Sequence, residues 1–302
     1  MTEALLVLNK HEDSMSYVDP WSLEPLDKIA VGHNPHEIVL TPDRRYAYLS
    51  NYAPPGNTIS VIDVAARKHI LQIPTGEFAR IHGAAMARDG RHAYFTAGQT
   101  GFVVEVETAG NSVTRGIPTH GKISHMVLVS PDDTRLYTAN IETEDVSVLD
   151  RASGQLICRI PCGRGCEGMA FTPDGRLLWA LNQEAGTITV IDLTTHRAVE
   201  TFECPGMPVR ALFTPDGLRA LVSSWAERGE LIVLDATSDA ELARLPVGRR
   251  AIGMEISPDA RRAFVGCEYD DGVHVVDLQA LTVTGRFFTG SGSDAIAWWR
   301  AA

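Results

Sequence analysis

The chain has 302 residues, 44% of them hydrophobic and 22% charged, with a formal net charge of −11. These totals suit a globular protein of two average domains or one large repetitive one, and the acidity argues against a nucleic-acid backbone or an anionic membrane as partner. No apolar stretch is long enough to span a bilayer, and the N-terminal MTEALLVLNKHEDS lacks a basic region followed by an apolar run.

In chain order, one unit returns. Thr41-Pro42-Asp43 is followed by Arg88-Asp89-Gly90, Ser130-Pro131-Asp132, Thr172-Pro173-Asp174, Thr214-Pro215-Asp216 and Ser257-Pro258-Asp259, with 42 to 46 residues between aspartates. A second acidic landmark (Asp19, Asp63, Glu107, Asp150, Asp192, Asp235, Asp277) recurs seven times at 42 to 44 residues. Within a unit, short apolar or β-branched runs alternate with turns. In the fourth these are Glu167 to Thr172, Leu177 to Leu181, Thr187 to Leu193 and Ala198 to Phe202. Four strands in this period predict one blade of a β-propeller.

The ends complete the ring. Residues 4 to 31 supply only three strands, and the missing innermost strand is expected at Asp294 to Trp299. The prediction is an all-β, seven-bladed propeller of four-stranded antiparallel blades, closed by the C-terminal strand joining the N-terminal blade. It spans 1–302 as one domain, with blades starting near 36, 82, 125, 167, 209 and 252, and a last one at 294 completed by 1–31. Closure of this kind removes a free sheet edge.

The "TPDG" turns, Tyr137-Thr138-Ala139-Asn140 and the "VSVLD" strand resemble the YVTN-type seven-bladed propeller family over the whole chain. The resemblance implies the fold. It leaves function open, because that family includes enzymes, cofactor-binding domains and surface proteins.

The first residues of the innermost strands should line the mouth of the channel. Taking the residue seven before each turn aspartate gives His36, His82, His125, Glu167, Val209 and Ile252, and the last strand adds Asp294. Three imidazoles from successive blades, flanked by two carboxylates, suit a transition metal better than calcium or magnesium, which prefer oxygen. His36, His82, His125 and Glu167 are therefore the expected metal ligands. Glu167 and Asp294 are the candidates for acid–base work, as ligand, orienting partner or base. Rim residues His33, Arg80, His120, Arg164 and Trp225 are candidates for substrate contact, although a solvated loop role competes for each, and Arg210, one position out of register with the ring, is a further candidate.

Five cysteines, an odd number, suggest reduced thiols in a cytoplasmic protein. Cys162 and Cys166 have no second pair to make a zinc knot. Phosphate-loop, HExxH and GxSxG motifs are absent. The favoured reading is a metal-dependent oxidoreductase or oxygenase using Fe or Cu, with Zn as a further option. It would act as a monomer on a small-molecule substrate, with no nucleic-acid or membrane partner. One alternative is a Lewis-acid lyase or lactonase-like hydrolase. The other is a non-enzymatic binding or interaction module. Histidine-rich axial sites resemble those of carotenoid-oxygenase and selenium-binding-protein propellers, whereas lactonases and streptogramin lyases of this shape have oxygen-rich sites.

Overall fold

A computed structural model describes residues 2–54 and 57–301. Among these residues all regular structure is β, in twenty-eight strands arranged as seven four-stranded antiparallel sheets. The innermost strands are β4 (Pro35–Leu40), β8 (Ile81–Met86), β12 (Ser124–Val129), β16 (Cys166–Phe171), β20 (Pro208–Phe213), β24 (Ala251–Ile256) and β28 (Ser293–Arg300). Each touches the innermost strands of its two neighbours, which closes the ring. The blade joining the termini has the order β28-β1-β2-β3, where β1 is Glu3–Asn9, β2 is Ser14–Val18 and β3 is Pro25–Ala30. β28 pairs with β1 from Glu3↔Arg300 to Asn9↔Ser293, so the expected closure is present.

The repeat landmarks have physical jobs. In the Thr-Pro-Asp turns the threonine hydroxyl donates to the aspartate two residues on, as from Thr41 Oγ1 to Asp43 Oδ1 at 2.6 Å. The same carboxylate accepts the Arg45 amide at 3.0 Å, which sets the tight reversal between first and second strands. The asparagine ending the second strand is a buried brace. Asn140 Nδ2 donates to Asp145 Oδ1 at 2.8 Å and Ser147 Oγ at 2.9 Å, and Asn9 and Asn182 bridge to the third strand in the same way. Satisfied on its donor side, this amide anchors the loop that follows it.

The apolar core lies between blades, with fully buried Trp179, Tyr48, Tyr94 and Tyr137. The outermost strands alternate or face solvent, as in Arg197–Glu203. Cys166 points into this core, away from the channel, as its strand parity requires. All five cysteines are free thiols.

All seven innermost strands share one irregularity. Their ladders slip at the ring position: between Ser124 and Met126 around His125, between Cys166 and Gly168 around Glu167, between Pro208 and Arg210 around Val209. Equivalent slips bracket His36, His82, Ile252 and Asp294. A bulge leaves one residue out of the ladder and re-aims its side chain. Here it turns seven side chains toward the axis.

Candidate functional site

The axial cavity has a volume of about 320 Å³ and is lined by His36, His82, His125, Glu167 and Ile252 from the bulged ring, together with Lys10, Tyr52, Gln183, Trp225 and Glu268. The latter five belong to a second ring. Each directly follows the last residue of a second strand, and the full series is Lys10, Tyr52, Gly98, Ile141, Gln183, Trp225 and Glu268. Of these, Trp225 is a rim candidate read from the sequence. Lys10, Gln183 and Glu268 are not, although their place immediately after the repeat asparagine or its substitute was a usable signal.

The three imidazoles are neighbours. His36 and His82 ring centroids stand 5.0 Å apart, and those of His82 and His125 are 3.8 Å apart at 35°. Tyr52 packs on His36 at 4.5 Å and on His82 at 5.2 Å. His36 Nδ1 lies 3.1 Å from the Asn34 carbonyl, an interaction that requires Nδ1 to carry the proton and leaves Nε2 as the lone-pair nitrogen. The buried Nδ1 atoms of His82 and His125 have no hydrogen-bond partner.

Burial drives the pKa of all three imidazoles downward. His36 is pushed down to about 4, with Asp294 opposing the shift. His82 and His125 fall well below the usual imidazole range. Neighbouring imidazoles add to the effect at His82, and Arg210 heads the charges that add to it at His125. All three are therefore uncharged at neutral pH, the form that ligates metals.

Buried charge surrounds them. Lys10 Nζ lies 3.0 Å from Asp294 Oδ2 and 3.1 Å from Glu268 Oε1. Glu268 also accepts Trp225 Nε1 at 2.8 Å. Burial alone would lower the Lys10 ammonium, but Asp294 and Glu268 outweigh it and hold the group above its ordinary value. Below the imidazoles, Arg210 reaches across the channel to pair with Glu37 on a non-adjacent blade, with Glu167 Oε1 3.9 Å from its guanidinium. Burial raises Glu167 to about 7 and raises Glu37 as well, with Arg210 acting against both shifts. Two cations, Lys10 and Arg210, thus face four carboxyl groups, Asp294, Glu268, Glu37 and Glu167.

The sequence-predicted residues divide clearly. His36, His82, His125, Glu167 and Asp294 meet at the axis, and Trp225 lines the cavity. Arg210 forms the floor as the partner of Glu37 rather than an open substrate contact, because a buried carboxylate requires a counter-charge. His33 is turned outward to Asp13 at 2.8 Å. His120 and Arg164 are exposed and line neither this cavity nor the lateral one beside it. Among the described residues, no three of His, Cys, Asp and Glu stand ready to hold a metal ion. The expected ligand set is assembled but not convergent, since the uncharged His82 and His125 rings lie against one another, tilted by 35°.

A lateral cavity of about 460 Å³ adjoins the axial one and shares Tyr52, His82 and His125 with it; Arg80 also lines it. Both volumes fall in the range of small-molecule sites.

The model of the cytochrome D1 heme domain matches residues 126–252, less than half of the chain and a span that contains none of His36, His82 and His125. No curated protein matches the chain in sequence. Solved structures share the architecture. Hydrazine synthase of Kuenenia stuttgartiensis is 18% identical over 89% of this chain and 96% of its own, with a TM-score of 0.77. A protein of unknown function from Desulfotomaculum acetoxidans is 15% identical over 99% of both chains, TM-score 0.83. The dihydro-heme d1 dehydrogenase NirN, in complex with DHE, is 18% identical over 97% of this chain and 74% of its own, TM-score 0.72. At these identities the likeness is one of fold, and the chain is a seven-bladed propeller similar in architecture to these proteins.

Proposed function

We propose that the channel mouth is a transition-metal site, iron favoured, and that the protein is a metal-dependent oxidoreductase acting on a small molecule. The observation that carries this reading is the trio of adjacent, uncharged imidazoles on three successive bulged strands, two of them with an orphaned buried Nδ1. An unpartnered buried polar atom costs about 1–3 kcal/mol, a debt that a ligand on the ring would help to discharge. The excess of carboxyl groups over cations favours added positive charge at the axis. Binding requires the stacked His82 and His125 rings to part.

In this reading His36, His82 and His125 would hold the metal, which would supply electron transfer or the polarisation of a bound group. Glu167, poised near neutrality by burial, holds or accepts a proton beside it. Asp294 is balanced by Lys10 and keeps the flank of His36 negative. Glu37 and Arg210 close the channel beneath, limiting water from that side.

The family match over residues 126–252 favours a second reading, iron carried in a tetrapyrrole. A ring imidazole would hold its iron. The apolar side chains that would enclose a macrocycle are few and dispersed: Tyr52 and Ile123 at one side, Trp225 and Ile252 at the other. A bare ion therefore comes first.

Metal analysis of untagged protein, before and after reconstitution with Fe(II), Cu(II) or Zn(II), tests the proposal. Close to one equivalent is expected, with His82→Ala losing the metal and keeping the β-rich circular dichroism spectrum. Well under one equivalent of every metal refutes the site. An intense visible absorption band would select the tetrapyrrole, and uptake of zinc alone would move the chemistry to Lewis-acid catalysis.

A further inference from the structure

The second ring has a gap. Six of its seven positions carry side chains, but the blade that supplies His82 has Gly98 there. The lateral cavity opens beside Gly98 and runs outward from His82 and His125. Its near end is shared with the axial site through Tyr52, His82 and His125, so a single molecule can occupy both.

The wall of the lateral cavity carries two cations, Arg80 and Lys122. Arg80 sits two residues before His82, with its guanidinium over the Tyr52 ring at 5.3 Å. Its backbone is held in the left-handed region (φ 57°), and its carbonyl accepts the Gly98 amide at 3.2 Å. Asn34, Ile123, Arg250 and Gly292 adopt a similar φ two residues before their own ring positions, so this backbone belongs to the blade turn and does not depend on the arginine side chain. What distinguishes Arg80 is the absence of a carboxylate partner among the described residues. Lys122, on the opposite wall, pairs at 3.3 Å with Glu142, and both of those side chains are more than half exposed. The apolar surface between the cations and the imidazoles is aromatic and aliphatic, from Tyr52 and the 46% exposed Ile123.

We propose that this cavity binds the carboxylate-bearing arm of the small molecule whose other end reacts at the imidazoles, with Arg80 as the paired donor and Lys122 as a second cation. The substrate class is thus an organic acid with an uncharged body long enough to reach from Arg80 to His82. A planar guanidinium already stacked on Tyr52 presents two N–H donors in the geometry a carboxylate accepts. Glu142, drawn to Lys122, disfavours a dianion and selects a single negative charge. The inference rests on the metal-site reading only for what happens at the imidazole end; the anion-binding end stands on the cavity alone.

The test uses full-length protein, with and without added Fe(II). Benzoate and 3-phenylpropionate serve as probes, benzamide and 3-phenylpropanamide as their neutral counterparts, and binding is read by calorimetry. The acids are expected to saturate the protein, the amides to bind about 10- to 100-fold more weakly, as loss of a charge-assisted hydrogen bond implies. Arg80→Gln should remove that discrimination while leaving unfolding temperature and metal content unchanged, and Lys122→Gln should reduce it less. Three results overturn the proposal: no saturation by either acid, equal binding of acid and amide, or discrimination that survives Arg80→Gln. Discrimination without any metal uptake would uphold the acid-binding cavity and refute the metal centre, which keeps the two failures distinguishable.

Discussion

Arg210 offers the most direct test of how the channel is held. Its guanidinium and the Glu37 carboxylate are each 13% exposed at the side chain, and they join two blades that are not neighbours in the ring. Replacing Arg210 by Met keeps the bulk and removes the charge, leaving Glu37 unpaired beside Glu167, whose own carboxyl loses the same counter-charge. Removing one partner of a buried pair costs about 3–5 kcal/mol, whereas replacing both partners with apolar groups is near neutral. At about 2 °C per kcal/mol for a chain of this size, Arg210→Met should lower the unfolding midpoint by about 6–10 °C. Glu37→Met/Arg210→Met should recover most of that loss. Thermal and urea unfolding of the four proteins of this double-mutant cycle supply the measurement. A single variant within about 1 kcal/mol of the parent by this scale, or a double variant that merely sums the two losses, would refute the assignment of a buried cross-channel pair.

Two further outcomes follow from the repeat itself. Asp174 accepts the Thr172 hydroxyl at 2.7 Å and the Arg176 amide at 3.1 Å, and these bonds, the hydroxyl first, hold its carboxyl below the ordinary range. A carboxylate with a depressed folded value stabilises the protein above its unfolded pKa and ceases to do so as pH falls through the folded one. The difference in urea midpoint between the parent and Asp174→Asn, present at pH 7, should therefore close below about pH 4; an undiminished difference at pH 2.5 would contradict it. Gly168→Ala would place a Cβ 2.1 Å from the Val209 carbonyl oxygen on the next blade, so it should destabilise strongly or abolish soluble expression. Gly285→Ala, which meets nothing within 4 Å on an outermost strand, should be neutral or gain up to about 1 kcal/mol. Equal effects of the two would show that the blades are not packed this closely at the axis.

The fold was legible because a short-range rule is repeated: a hydroxyl, a proline and an aspartate make five of the six reversals, and short apolar or β-branched runs mark the strands. The same register found His36, His82, His125, Glu167 and Asp294, since a bulge at a fixed place in every inner strand turns a sequence position into an axial position. Partners set by the diameter of the ring were not legible. Glu37 lies one residue beyond His36 and looks like ordinary strand text, yet it meets Arg210, 173 positions away. Nothing local to either residue encodes that pairing. It arises because two positions just below the ring face one another across a narrow channel.

The state of the imidazoles shows why ring diameter matters for chemistry as well as for packing. Three histidines at a wet channel mouth would titrate near their ordinary value and spend much of their time charged close to pH 6. Here the rings lie against one another and Tyr52, and two cations sit near them; burial is the largest influence, and the cations push in the same direction. Asp294 and Glu268 oppose the shift at His36 but do not reverse it, because burial outweighs them and the Lys10 charge beside them pushes with it. Lys10 thereby has two effects at once. It keeps His36 in the neutral form that can donate a lone pair, and it prevents two buried carboxylates from facing each other unpaired. A lysine in the loop after the first strand carries no motif and would pass as a solvated rim residue. Its importance lies in the second ring, in the step from Asn9 to Lys10 that places it at the axial cavity, two blades from the gap at Gly98 through which a substrate arm would leave.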